Sequence, residues 1–162
     1  MSTLFRMQAM AERTLIILKP DAIQRRLAGQ IIERFERKGF RLAAAKLLWI
    51  SMEQARRHYA VHEGKPFFEG VVKYLASGPS LVMVWEGPRV IEISRKMMGK
   101  TFGFEAEPGT IRGDFGLSQR FNLIHGSDSH ESAAYEIGLY FNGDELVAYD
   151  FSDGHWIEGT TQ

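Results

Sequence analysis

Four short apolar runs, separated by amphipathic stretches of helical period, constrain this chain more than any other feature. Each run must be buried in a sheet and each amphipathic stretch must cover it. The runs are residues 14–18 (Thr-Leu-Ile-Ile-Leu), 41–50, 81–85 and 121–124. Between the first two, Ile31, Ile32 and Phe35 are interleaved with Glu33, Arg34, Glu36, Arg37 and Lys38 and followed by Gly39, which predicts a helix with a glycine stop. Ser51 with Gln54 three residues later predicts a capped helix through Tyr59, and Pro66 is expected to open another carrying Phe68, Val71, Val72 and Leu75. Residues 88–98 and 129–141 complete the helical set. Strands alternating with helices suggest, on spacing alone, a parallel α/β sheet.

A chain of 162 residues is one domain's worth. With 44% hydrophobic and 25% charged residues it belongs with ordinary globular proteins, not disordered or collagen-like ones. Twenty basic residues balance twenty acidic ones. Zero net charge argues against a protein that coats nucleic acid or an anionic membrane, so any anionic ligand must be held by a local cluster. The absence of cysteine excludes disulfides, thiolate nucleophiles and Cys-based zinc sites. Residues 1–11 contain no apolar run of signal-peptide length and read as a loose extension, and no segment approaches the roughly 20 apolar residues of a membrane span. A cytoplasmic protein, independent of membrane and with no obligate nucleic acid, is the expectation.

Chemistry gathers at a few places. His125-Gly126-Ser127-Asp128-Ser129 lies between a strand and a helix, where a helix N-terminus favours anions, and a neutral imidazole can attack phosphorus at physiological pH without a separate base. Taken alone, His125 equally fits a residue that hydrogen-bonds a loop. Glu136 stands at the edge of the apolar face made by Ala133, Ile137, Tyr140 and Phe141; paired with His125 it would fix one ring tautomer, and otherwise it is a solvated boundary residue. Lys19, Arg95 and Arg112 would suit a polyphosphate if they converge, although each singly reads as a surface charge. The glycine-rich residues 99–119 lack periodicity and read as a ligand loop. Gly99-Lys100-Thr101 is not a P-loop, because Ser94 stands where that motif needs glycine. His58 and His62, one helical turn apart, could share a metal, but a structural role is the simpler reading. Phe67, Val71 and Tyr74 form a stripe that could face a nucleobase or pack in the core.

Lys19-Pro20-Asp21-Ala22, Lys65-Pro66-Phe67-Phe68, Gly109-Thr110-Ile111-Arg112-Gly113-Asp114 and Asn122-Leu123-Ile124-His125-Gly126-Ser127-Asp128-Ser129 together resemble the nucleoside diphosphate kinases, in the family's order and spacing from Glu12 to about Trp156. The resemblance implies an α+β ferredoxin-like sandwich whose four-stranded sheet is antiparallel, not parallel. It implies a single kinase domain over residues 12–162, with 142–162 as a C-terminal segment of the kind that packs on a neighbouring subunit. It further implies that His125 takes the γ-phosphoryl of a nucleoside triphosphate, chiefly ATP, and passes it to a nucleoside diphosphate in a ping-pong cycle. By the same resemblance Glu136 and Ser127 orient His125; Lys19, Tyr59, Arg95, Thr101 and Arg112 surround the phosphates; Asn122 joins Lys19 near the ribose; Phe67 stacks on the base beside Val71. Mg2+ would be held through nucleotide phosphates and not by a protein cage. A homo-hexamer is implied first and a homo-tetramer second. The sequence departs from the family pattern at Phe102-Gly103-Phe104, where Asn-Pro or Asp-Pro commonly follows the threonine, and at Gln119-Arg120-Phe121.

Overall fold

The computed structural model describes residues 12–159, so the expectation for residues 1–11 lies outside the described residues. Strands β1 (Arg13–Leu18), β2 (Arg41–Trp49), β3 (Pro79–Glu86) and β4 (Ile124–Gly126) form one sheet in the order β2-β3-β1-β4. Every neighbouring pair is antiparallel. This corrects the parallel sheet suggested by spacing and agrees with the arrangement the resemblance implies. β1 and β2 do run in the same direction, as their helical crossover suggests, but β3 inserts between them; likewise β1 separates β3 from β4. Spacing along the chain reads a crossover and is blind to the strand that later fills the gap.

The helices are α1 (Pro20–Gln24), α2 (Ala28–Lys38), α3 (Met52–His58), α4 (Phe68–Leu75), α5 (Val90–Met98), α6 (Ile111–Phe115), α7 (His130–Tyr140) and α8 (Gly154–Glu158). Both faces of the sheet are covered, which is why β1 reads as an unbroken apolar run instead of an alternating one. Ile16 and Leu18 pack with Phe35, Met83 and Trp85 on one face, while Leu15 and Ile17 pack with Val72, Leu75, Val82 and Val84 on the other.

Local signals place most boundaries. Gly39 ends α2 in the left-handed region at φ 93°, and the Ser51–Gln54 capping box opens α3. α4 begins at Phe68, with Pro66 in the preceding turn, and α5 begins at Val90 after Arg89 at φ 53°. Two departures shape the site. First, the fourth strand is Ile124–Gly126, not 121–124: Leu123 adopts φ 70°, a left-handed conformation in which the strand cannot run through it, and its carbonyl instead accepts from the Lys19 amide at 2.8 Å. His125 therefore lies inside the strand, opposite Ile17, and so projects to the face that carries α3 and α4. Second, residues 99–119 are not structureless. A 3-10 turn (Gly103–Glu105) and α6 occupy them, the latter capped by the Thr110 side chain accepting from Gly113 N–H at 3.0 Å. A helix of five residues is too short to show a period in sequence.

Gly113 carries that loop. A Cβ there would stand 2.0 Å from the Glu107 carbonyl oxygen, a backbone atom with no freedom to withdraw. Gly113→Ala is expected to cost about 1–3 kcal/mol and to misplace the adjacent Arg112. Thermal unfolding together with a nucleoside diphosphate titration checks this, with both a lowered Tm and weakened binding expected.

Candidate active site

β4 and the N-terminal half of α7 set the centre. His125 Nε2 lies 3.0 Å from Glu136 Oε2, and Ser127 Oγ–H donates to the same oxygen at 2.5 Å while accepting from the Leu15 amide at 3.2 Å. Glu136 and Ser127 are buried, whereas the His125 side chain keeps 19% of its surface exposed. With Nε2 committed to the carboxylate, Nδ1 is the ring nitrogen left available.

Three cations surround this ring. Lys19, at the N-terminus of α1 and only 6% exposed, donates to Asn122 Oδ1 at 2.8 Å and lies 5.1 Å above the Tyr74 ring. Arg112, also buried, donates from Nε to the Asn122 carbonyl at 3.1 Å, from Nη1 to the Gly99 carbonyl at 3.1 Å and from Nη2 to the Ile124 carbonyl at 2.6 Å. Its fork is thus preset by backbone oxygens that carry no full charge, leaving its own charge uncompensated. Arg95 on α5 donates to the Gly126 carbonyl at 3.3 Å. Asn122 links the set to Thr101, whose carbonyl accepts from Asn122 Nδ2 at 3.2 Å.

These cations and burial act together on the titrating groups. Burial, reinforced by Lys19, Arg112 and Arg95, lowers His125 to about 3 and keeps the ring neutral at physiological pH. Lys19 falls to about 7 through burial and the Arg112 charge, only partly offset by Asp21, and Arg112 falls to about 10 through burial and Arg95. Burial raises Glu136, against the opposing pull of His58 and the Ser127 hydrogen bond. An array of positive charge this poorly compensated is costly when empty and complementary to a polyphosphate.

The family model for nucleoside diphosphate kinase matches residues 12–146, which hold every element of this centre. The chain belongs to the nucleoside diphosphate kinase family. A nucleoside diphosphate kinase of Thermomicrobium roseum is 56% identical over 148 residues, covering 91% of this chain and 99% of that one. Among solved structures, a halophilic nucleoside diphosphate kinase from Halobacterium salinarum in complex with CDP superposes with a TM-score of 0.88 at 46% identity, covering 91% of this chain and 98% of its own. A transition state mimic of the enzyme from Borrelia burgdorferi, with bound vanadate and ADP, gives a TM-score of 0.85 at 32% identity over 91% and 97% of the two chains. The kinase described here is therefore a phosphotransferase acting on nucleoside tri- and diphosphates.

Of the residues expected from sequence, His125, Glu136 and Ser127 form one hydrogen-bonded set and Lys19, Arg112 and Asn122 a second; Arg95 reaches the Gly126 carbonyl, and Thr101 takes part through its backbone carbonyl alone. Tyr59 is buried beside the first set, its ring 6.5 Å from that of His125. Phe67 stands apart at 50% exposure, edge-on to His62 at 5.3 Å, and Val71 is half-buried against the second core. Tyr74 does not continue that stripe outward: it is buried, its hydroxyl donates to Asp21, and its ring carries Lys19. Asp21, whose other oxygen accepts from the Leu123 amide at 3.2 Å, and Tyr74 are thus supports that sequence reasoning passed over. Their signal was present, since Asp21 sits in the quoted Lys-Pro-Asp motif. His58 and His62 do not share a site, in line with the structural reading preferred over a shared metal: His58 turns inward and packs edge-on to His125 at 4.4 Å, while His62 faces Lys65 and Phe67. α3 ends at His58, so the helical spacing does not extend to His62.

Burial also lowers His58, well below its ordinary value. Two imidazoles that stay neutral when folded bind protons more weakly than in the unfolded chain. Their stabilising share is therefore complete above about pH 6.5 and is lost as pH falls below it. Glu136, raised when folded, works in the opposite direction above its unfolded value near pH 4.5, one group against two. Urea midpoints are expected to fall between pH 7 and pH 5, and to fall less in His58→Gln.

Proposed function

We propose that the kinase works by a ping-pong cycle in which His125 is the phosphoryl carrier. The observation that carries this reading is the single commitment of Nε2 to a buried carboxylate beneath three poorly compensated cations, which leaves a neutral Nδ1 as nucleophile. Nδ1 attacks the γ-phosphorus of a nucleoside triphosphate, chiefly ATP; the N–P bond forms as the bond from phosphorus to the bridging oxygen breaks, and that electron pair leaves with the diphosphate. The imidazole becomes positive as it attacks, and the Nε2–H···Glu136 pair holds that charge. A terminal oxygen of a second nucleoside diphosphate then takes the phosphoryl group and returns the lone pair to Nδ1. Little covalent work falls to the protein beyond positioning and charge compensation.

Glu136 and Ser127 orient the ring. Lys19, Tyr59, Arg95, Thr101 and Arg112 hold the phosphates, Asn122 with Lys19 meets the ribose, and Phe67 with Val71 receives the base. The exposure of Phe67 supports that last role, because an aromatic face stacks on any base. The donors present fit a Mg2+ ion carried on the phosphates better than one caged by protein: among the described residues the one cluster of potential ligands has two imidazoles, not the oxygens that Mg2+ prefers. Bound there with the nucleotide, Mg2+ would supply positive charge that offsets the phosphates.

Residues 12–162 would act as one domain in the cytoplasm, and no helix of the described residues is long and apolar enough to cross a membrane. Assembly into a homo-hexamer, or failing that a tetramer, is supported by edge strand β2 with its exposed Leu47 and Trp49, and by residues beyond α7 that run along it through Val147 N–H to the Ala43 carbonyl at 2.8 Å. Light scattering gives the subunit count.

Incubation with labelled ATP is expected to yield an acid-labile, alkali-stable phosphoprotein that His125→Ala abolishes; label retained in that variant overturns the reading. Removal of one phosphate clamp, as in Arg112→Ala, should slow turnover on the order of 10²–10³-fold. Because His125 stays neutral well below pH 6.5, the acid limb of single-turnover phosphorylation is expected below pH 5, not at the ordinary imidazole value.

A further inference from the structure

His58 has no part in the proposed cycle, yet it occupies the position behind the nucleophile. Both of its ring nitrogens are buried and neither has a hydrogen-bond partner, although a neutral imidazole holds one donor and one acceptor that are expensive to bury unpaired. It reaches the site from the last residue of α3, edge-on to His125 with ring centroids 4.4 Å apart. One ligand atom from each of His58, His125 and Glu136 lies within 4.8 Å of the others.

We propose that His58, His125 and Glu136 form a binding site for a borderline divalent metal of the zinc class, whose occupancy switches the kinase off. Two neutral imidazoles and one carboxylate are a common ligand set for such ions, with metal–nitrogen distances of about 2.0–2.1 Å. Tetrahedral coordination at that length needs ligand atoms about 3.3 Å apart. Glu136 Oε2 already lies 3.0 Å from Nε2 of His125, so closing the spread of up to 4.8 Å to this value falls chiefly on the His58 ring. The metal takes the place of the proton between Nε2 and Glu136: the Nε2–metal bond forms as the ring proton shifts from Nε2 to Nδ1, so His125 stays a neutral imidazole. Ser127, already donating to the carboxylate, orients it from outside the ligand set. A fourth position remains for water or a phosphate oxygen.

Lys19, Arg95 and Arg112 oppose a divalent ion here and limit its affinity, and Glu136 offsets part of their charge. Mg2+ is excluded by its preference for oxygen and water, so the ion that accompanies the substrate does not trip the switch. With metal on Nε2 and the proton on Nδ1, the ring has no lone pair to offer phosphorus, and attack through Nδ1 is suppressed.

The test uses the whole chain without nucleotide or Mg2+. Co2+ is expected to bind with one equivalent per chain, giving the intense visible absorption of a tetrahedral site. His58→Gln should weaken binding at least 10–100-fold. With excess MgATP, Zn2+ should slow phosphoprotein formation by the unsubstituted chain and leave that of His58→Gln unchanged. Only weak, octahedral Co2+ absorption, or equal inhibition of both proteins, overturns the proposal. Should His58→Gln not fold, imidazole 15N spectra of the unsubstituted protein decide: His58 and His125 resonances shifting together under Zn2+ support the site, and shifts confined to the exposed His62 or His130 refute it. The inhibition arm rests on His125 as phosphoryl carrier, whereas the Co2+ and 15N arms do not, so failure of either claim is seen separately.

Discussion

A hydrogen bond between an imidazole and a buried carboxylate, set beneath three cations, is the constraint on which the rest of the active centre depends. Without Glu136 the ring of His125 would have no fixed tautomer; without the cations, a neutral ring would have no reason to meet a polyanion. The carboxylate is itself costly to bury, and Ser127 makes it tolerable by donating to the oxygen that faces the histidine. Ser127 in turn is tied to the amide of Leu15 in the central strand. The imidazole of His125 is thus referenced to the least deformable part of the sheet.

The cations are held by an economy of backbone atoms. Arg112 directs its guanidinium at the carbonyls of Gly99, Asn122 and Ile124 and is oriented without neutralisation, while Arg95 reaches the carbonyl of Gly126 with the Asp128 carboxylate nearby. Lys19 is the exception that explains Tyr74 and Asp21: burial favours its neutral form, and the aromatic face and the nearby carboxylate draw it back toward charge. The left-handed Leu123 lets Lys19, Asp21 and Asn122 meet at one turn. Such a conformation in a branched residue costs roughly 1–2 kcal/mol, borne at the site that gains from it.

Much of this was legible in the linear chain, and for identifiable reasons. The caps at Gly39 and Ser51 are local, since each depends on residues within four positions. Glu136 was placed at the boundary of an apolar helical face by period alone. The fourth strand was misplaced because its limit is set by one backbone angle at Leu123, and α6 was missed because five residues are less than two turns. The stripe of Phe67, Val71 and Tyr74 left base-facing and core readings open, since helical spacing does not say which of its members a distant lysine will cover; Tyr74 took the core.

Sequence alone determined the element types, the covered sheet and, through motifs in a fixed order, the family to which the chain belongs. Tertiary structure decided the strand order, with β3 between β1 and β2, because antiparallel insertion depends on pairing between segments far apart in the chain. It also decided that His58 packs against the ring of His125 while His62 does not. Helical period and capping are short-range properties written in neighbouring residues. The meeting of α3, β4 and α7 around one imidazole is a property of packed surfaces, and no single segment contains it.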